Sequence, residues 1–147
     1  MINRLLTLVC FSLALTGCGD TSVDEVNGIP STFNGAWVSD CTFDPSIGLY
    51  TGTNYFFNGS FVEAEFYEYA DSNCSRVRNI DRYSGEAFSR GPVFLGNGRN
   101  GYDLTFSLFG LEDDAPLNFD SVIDADGRTL FEYPTGPNGR FIVFDRA

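Results

Sequence analysis

The chain has 147 residues, enough for one domain with a hydrophobic core, and carries twenty acidic residues against nine basic ones. Every basic residue is arginine, because lysine and histidine do not occur. The net charge of −11 argues against nucleic-acid binding, since an anionic surface repels phosphates. Without histidine or lysine, Ser-His-Asp, Cys-His and Schiff-base chemistry are excluded, and we expect no enzyme. The composition does not exclude glycoside hydrolysis by a pair of carboxylates.

The N-terminal segment has the pattern of a secretory signal peptide. Arg4 supplies the positive charge of a short n-region, and an apolar run over residues 5–15 follows. This run is shorter than the roughly 20 apolar residues that a membrane-spanning helix needs. It ends in Leu15-Thr-Gly-Cys18, which resembles the lipobox of bacterial lipoproteins.

The lipobox resemblance implies cleavage after residue 17 and attachment of palmitate-type acyl chains to Cys18. Several chains, at ~0.8 kcal/mol per buried methylene, anchor a protein stably without a basic patch. The next residue, Gly19, is not the Asp that usually retains lipoproteins in the inner membrane. The resemblance therefore implies a lipid anchor in the bacterial cell envelope, at the outer membrane, with the protein facing the periplasm or the cell surface.

The segment after Cys18 is polar, acidic and without periodicity, as in a flexible tether. We therefore predict a signal peptide over residues 1–17, a lipidated tether over 18–32 and a single domain over 33–147.

Two cysteines remain once Cys10 leaves with the signal peptide and Cys18 carries lipid. Cys41 and Cys74 form an even pair in an oxidising compartment, which predicts one disulfide. The alternative is a reactive dithiol, for which Arg76 is the basic neighbour nearest to Cys74.

From residue 33 onward the chain is rich in Phe, Tyr, Val and Thr, with Gly, Asn, Asp or Pro every eight to twelve residues. Apolar and polar residues alternate over 102–108 and 62–66, as in half-buried strands. Asn58-Gly59 predicts a tight hairpin, and 124–127 and 135–139 predict further turns. The predicted strands cover 34–40, 49–57, 60–69, 75–84, 87–95, 101–109, 117–123, 128–133 and 140–145.

Many short sequential strands joined by tight turns predict an all-β fold, a small antiparallel up-and-down barrel of about eight strands with one disulfide. Closure into a barrel removes the exposed edges of such a sheet. A sandwich is the alternative. The strand over 87–95 is the weakest prediction, because Pro92 cannot donate within a central ladder.

Three features share one pattern: Gly35-Ala-Trp37, a cysteine four residues later at Cys41, and Tyr69-x-Asp-x-x-Cys74. This pattern resembles small, uncharacterised bacterial lipoproteins with a lipocalin-like (calycin) domain, over residues 33–85. The resemblance implies a barrel and no particular activity, because that family has none assigned.

The lipocalin resemblance also implies a role for Trp37, as the plug at the closed end of the barrel. In lipocalins a late basic residue often packs over this indole, and Arg140 and Arg146 are the two candidates here.

Most aromatic residues are expected to fill the barrel interior. If the interior holds an apolar pocket, its walls should come from inward residues. These are Tyr55, Phe57, Phe66, Leu104, Phe106 and Phe131.

We predict no metal site and no cofactor. The acidic residues Glu112, Asp113 and Asp114, and those at 120, 124 and 126, do not match an EF-hand and are expected to be solvated. Arg76, Arg78 and Arg82 alternate along one strand and are expected to pair with Glu63 and Glu65 on a neighbouring strand.

Two functions are consistent with these features. In the first, a lipid-anchored monomeric barrel binds a small apolar or amphipathic ligand. In the second, its acidic surface captures or inhibits a basic protein of the envelope. An interior cavity of about 300 Å³ or more favours the first, and a filled interior favours the second.

Overall fold

The structure is a computed structural model that describes residues 28–95, 98–110, 116–134 and 142–147. Cys18, the predicted signal peptide, the acidic residues 112–114 and Arg140 lie outside the described residues. A short 3-10 helix, Ser31–Phe33, precedes the sheet. Its strands are β1 (Gly35–Ser39), β2 (Thr42–Asp44), β3 (Leu49–Asn58), β4 (Phe61–Tyr69), β5 (Val77–Phe94), β6 (Asn100–Gly110), β7 (Pro116–Ala125), β8 (Thr129–Tyr133) and β9 (Ile142–Arg146).

The sheet closes on itself as an eight-stranded antiparallel barrel, which confirms the predicted all-β fold. Strands β3 to β9 follow one another as neighbours in chain order. Strand β1 closes the circle by pairing with β3 on one side and β9 on the other. Strand β2 pairs with β3 beyond the end of β1. Strands β1 and β2 therefore share one of the eight positions in the barrel.

The alternating pattern positions the side chains as the sequence predicts. In β6, Leu104, Phe106 and Leu108 are fully buried. In β4, Val62 and Ala64 are buried while Glu63 between them is exposed. In these two strands, period-2 alternation therefore separates the buried apolar side chains from the outward-facing ones.

The predicted strands 75–84 and 87–95 are in fact one strand, β5, of 18 residues. Its first half pairs with β4 as far as Glu86, and its second half pairs with β6. The ladder shifts register between Ser89 and Gly91, where the strand carries a bulge. Because β4 stops pairing before Pro92, the missing N–H of the proline interrupts no β4–β5 ladder.

Residues that precede the predicted start of the domain at residue 33 also pack against the barrel. Ile29 and Phe33 are buried in the main hydrophobic core, together with Trp37. The last part of the predicted tether therefore packs against the barrel, and the 3-10 helix covers one end of it. Asn34 holds this helix to the β3–β4 hairpin, since its Oδ1 accepts a hydrogen bond of 2.8 Å from the Gly59 amide.

Trp37 lies fully buried beside the 3-10 helix, at what we call the closed end of the barrel. Its indole N–H donates to the carbonyl of Phe33 at 2.6 Å. The guanidinium of Arg146 lies 5.0 Å from the centre of the Trp37 ring. Arg146 also donates to the carbonyls of Gly127 and Asn34. Of the two candidate arginines, Arg146 therefore packs over the indole.

A disulfide between Cys41 and Cys74 confirms the predicted pair, with Cα atoms 6.0 Å apart. It joins the β1–β2 junction to the β4–β5 connection, at the end of the barrel away from Trp37. In that connection, Asp71 accepts backbone hydrogen bonds from Ser75 and Arg76, of 3.0 and 3.1 Å.

Candidate functional site

The barrel contains an open apolar cavity of about 330 Å³ at the end opposite Trp37, and we call this cavity the cup. Inward-facing residues of β3, β4 and β7 form its walls, and β8 supplies a carboxyl group. Residues at the ends of β8 and β9 form its rim. Its lining consists of Thr53, Tyr55, Phe66, Leu117, Phe119 and Glu132, with Pro134 and Ile142.

The predicted pocket residues divide between the cup and the filled interior. Tyr55 and Phe66 line the cup, with their ring centres 6.4 Å apart. Phe57, Leu104 and Phe106 are fully buried in the core. The barrel is thus filled near its closed end and open at the other.

Phe131 does not join the other predicted pocket residues. It lies on the outer face of β8, against a small second cluster formed by Leu95, Val122 and Tyr133. The guanidinium of Arg99 lies 4.7 Å from the centre of its ring. The alternation along β8 explains this position, because Leu130 faces the core and Phe131 faces away from it.

Glu132 is the distinctive residue of the cup. Its side chain faces inward, and the residue is only 4% exposed. The Tyr55 hydroxyl lies 3.4 Å from both carboxylate oxygens and donates to them. Ser121 on β7 is also buried. Its Oγ has no hydrogen-bond partner of ordinary geometry in the described part of the chain, although it is close enough to act on the Glu132 carboxyl.

Burial dominates the acid–base behaviour of this pair. Loss of hydration raises the pKa of Glu132 to about 7, against the smaller lowering effects of Ser121 and Tyr55. Burial also raises the pKa of Tyr55 well above its usual value, and the nearby Glu132 carboxylate raises it further. Near neutral pH, Glu132 therefore exchanges its proton readily while Tyr55 keeps its own.

Sequence reasoning missed Glu132, although a signal was present. Glu132 follows Leu130 by two residues, so alternation places both on the same inward face of β8. The same rule places Leu117, Phe119 and Ser121 together on the inner face of β7. The prediction that Phe131 faces inward implied the opposite alternation along β8.

A second concave surface lies on the outside of β1, β3, β4 and β5, and we call it the outer groove. Its volume is about 480 Å³. Val38 and Phe56 on this face are 42% and 41% exposed. Exposed Glu63 also lines it. The outer groove thus combines apolar side chains with Glu63 and with the ion pair of Glu65 and Arg82.

The predicted arginine–glutamate pairing is present for one pair. Arg82 and Glu65 lie opposite each other in the β4–β5 ladder, with Nε and Oε1 2.9 Å apart. Tyr67 also donates to Glu65. Arg76 lies before β5 and is instead 3.7 Å from Asp71.

The acidic residues at 120, 124 and 126 do not all converge, and Asp124 is buried, contrary to the expectation that it is solvated. Arg90 and Thr105 bind Asp120, at 3.0 and 2.7 Å. Arg99 lies 2.5 Å from Asp124 and 3.9 Å from Asp126. In the described part of the chain, no three His, Cys, Asp or Glu residues are placed to hold a metal ion.

Comparison with known protein families gave no match, and comparison with curated proteins gave none either.

Proposed function

We propose that this protein is a lipocalin-like lipoprotein of the bacterial cell envelope that binds a small apolar or amphipathic molecule in the cup. The observation that carries the proposal is the open cavity of about 330 Å³ with aromatic and aliphatic walls. Small-molecule sites are typically concave, mostly apolar and of about 300–1,000 Å³, with a few polar groups. The cup has this size and this composition.

A variant that fills the cup tests ligand binding. Leu117→Trp places a larger side chain in the wall, while Asn118→Trp adds the same side chain on the exposed outer face of β7. We expect Leu117→Trp to weaken binding of the uncharged fluorescent probe N-phenyl-1-naphthylamine at least tenfold. Asn118→Trp should bind as the wild type does. Equal binding by both variants, with the barrel folded, would refute the assignment of the cup.

The envelope location rests on the lipobox resemblance at Cys18. Cys18→Ser should abolish incorporation of labelled palmitate and leave the protein either unprocessed at residue 17 or released from membranes. Cys10→Ser, in the predicted signal peptide, is the matched control and should keep both properties. Membrane association of Cys18→Ser with a normal mature mass would contradict lipid anchoring.

The outer groove supports a second candidate, in which the protein captures a basic protein. Its exposed Phe56 and Val38 beside Glu63 suit a partner with arginine or lysine around an apolar centre. Because salt screens exposed charges, such binding should weaken steeply as the salt concentration rises from about 50 to about 300 mM. Phe56→Ser and Glu63→Gln should each weaken it, while Leu117→Trp should not.

A further inference from the structure

We propose that Glu132 makes the cup selective for amphipathic amines, with the ammonium group paired to the Glu132 carboxylate and the apolar tail filling the cup. This proposal rests on the proposed function, because it names the class of ligand that the cup takes.

The first argument is the position of the carboxyl group. Glu132 lines the cup and is nearly inaccessible to bulk water. A buried carboxylate is stable only when it is paired or hydrogen-bonded. Each described arginine ion pair joins another carboxylate, so none of them neutralises Glu132. Among the described residues, Glu132 therefore has a hydrogen-bond donor in Tyr55 but no counter-ion, and a cationic ligand would supply one.

The second argument is the set of hydroxyl groups beside it. Tyr55 donates to the carboxylate, and Ser121 has a buried hydroxyl close to it without a partner of its own. Hydroxyl donors favour the ionised carboxylate over the protonated one. The surroundings of Glu132 are therefore prepared to hold a negative charge once a cation lies opposite it.

The third argument is the aromatic wall. Tyr55, Phe66 and Phe119 line the same cavity as Glu132. Aromatic faces attract organic cations, by about 0.5–2 kcal/mol depending on desolvation. A site with a carboxylate and aromatic rings thus favours a ligand with an ammonium head group. A ligand with a carboxylate head group would be repelled by Glu132. The net charge of −11 also concentrates cations near the protein.

Amine binding should be linked to release of a proton from Glu132. Among the described residues, the titratable group that contacts Glu132 is Tyr55, on β3. The other described side chains beside it are Phe66 from β4, Phe119 and Ser121 from β7, and Ile142 from β9, which do not titrate. Below pH 7 the amine must displace the carboxyl proton, so its affinity falls as the pH falls.

The test compares three probes of equal length that differ in the head group: n-octylamine, 1-octanol and octanoate. Binding is measured by calorimetry at pH 7.5 on the full chain carrying Cys18→Ser, which removes the lipid attachment site. Glu132→Gln removes the buried charge with little change of shape. Glu86→Gln, at an exposed position of β5, is the control that makes the same change in net charge.

For the wild type we expect octylamine to bind most tightly. Glu132→Gln should weaken octylamine binding about 10-fold or more, because it removes a charge-assisted hydrogen bond. The same variant should change octanol binding less than about threefold. Glu86→Gln should change neither. Between pH 8 and pH 6, octylamine affinity should fall about tenfold in the wild type and stay constant in Glu132→Gln.

Three outcomes would count against the proposal. Equal binding of the three probes would leave the cup as an apolar site and overturn the selectivity for amines. Preference for octanoate would overturn it as well. Failure of all three probes to bind would overturn the proposed function together with this inference. Circular dichroism of Glu132→Gln shows whether the barrel is intact.

Discussion

Gly35 and Arg146 lie so close together that a Cβ atom at Gly35 would be 2.9 Å from Nη2 of Arg146. The arginine cannot move aside without losing its position over Trp37 and its hydrogen bond to Asn34. Gly35 also has a φ of 122°, which L side chains rarely adopt. The glycine of Gly-x-Trp is therefore required both by the backbone and by the arginine that covers the tryptophan.

Gly35→Ala should destabilise the barrel more than Gly91→Ala does. Gly91 has nearly the same φ, 119°, but open space where its Cβ would be. Backbone strain of about 1–3 kcal/mol is common to both variants. Displacement of Arg146 should add about 1–2 kcal/mol for Gly35→Ala alone. Urea unfolding measures the difference, and it should disappear when Arg146 is also replaced by Ala.

Trp37→Ala should lower the free energy of unfolding by ~3–5 kcal/mol, since it removes a fully buried aromatic side chain. Trp37→Phe should be milder, and Phe109→Ala, at an exposed position, should have little effect. Denaturant unfolding followed by circular dichroism tests all three. As the sole tryptophan, Trp37 should also give blue-shifted emission that resists quenching. Red-shifted, easily quenched emission would contradict burial.

Replacing both Cys41 and Cys74 by Ser should lower the free energy of unfolding by ~3.5–4 kcal/mol. The disulfide closes a loop with a sequence separation of 33, and the value follows from the chain entropy that this loop removes from the unfolded state. Reducing agent should have the same effect on the wild type and none on the double variant. Two alkylatable thiols in the native wild-type protein would instead support the dithiol alternative.

Glu132 should make the barrel less stable as the pH rises from about 4.5 to about 7. Over this range the unfolded chain loses the Glu132 proton while the folded protein keeps it, because burial raises the pKa to about 7. The unfolded state is thereby favoured, by about 3 kcal/mol once the pH exceeds 7. Glu132→Gln should be the more stable protein above pH 7.

The difference in unfolding free energy between the wild type and Glu132→Gln, measured from pH 4 to pH 8, isolates this carboxyl from the others. A constant difference across the range would show that Glu132 ionises normally in the folded state. If Glu132 reduces stability at neutral pH as predicted, this result supports its proposed role in binding.

Features of the fold that depend only on neighbouring residues could be predicted from the sequence. Alternation over 102–108 placed Leu104 and Phe106 in the core, and an even pair of cysteines predicted the disulfide. Asn58-Gly59 marked the β3–β4 turn, where Gly59 has a φ of 61°. Period-2 alternation and turn chemistry are local properties, so they can be read from short segments.

Tertiary structure decided which distant residues meet. Tyr55 and Glu132 are 77 residues apart and make contact only because closure brings β3 opposite β8. The continuity of β5 depends equally on its two partners, since β4 supports its first half and β6 its second. The register between strands fixes these contacts, and that register is set by closure of the whole barrel, which no single segment encodes.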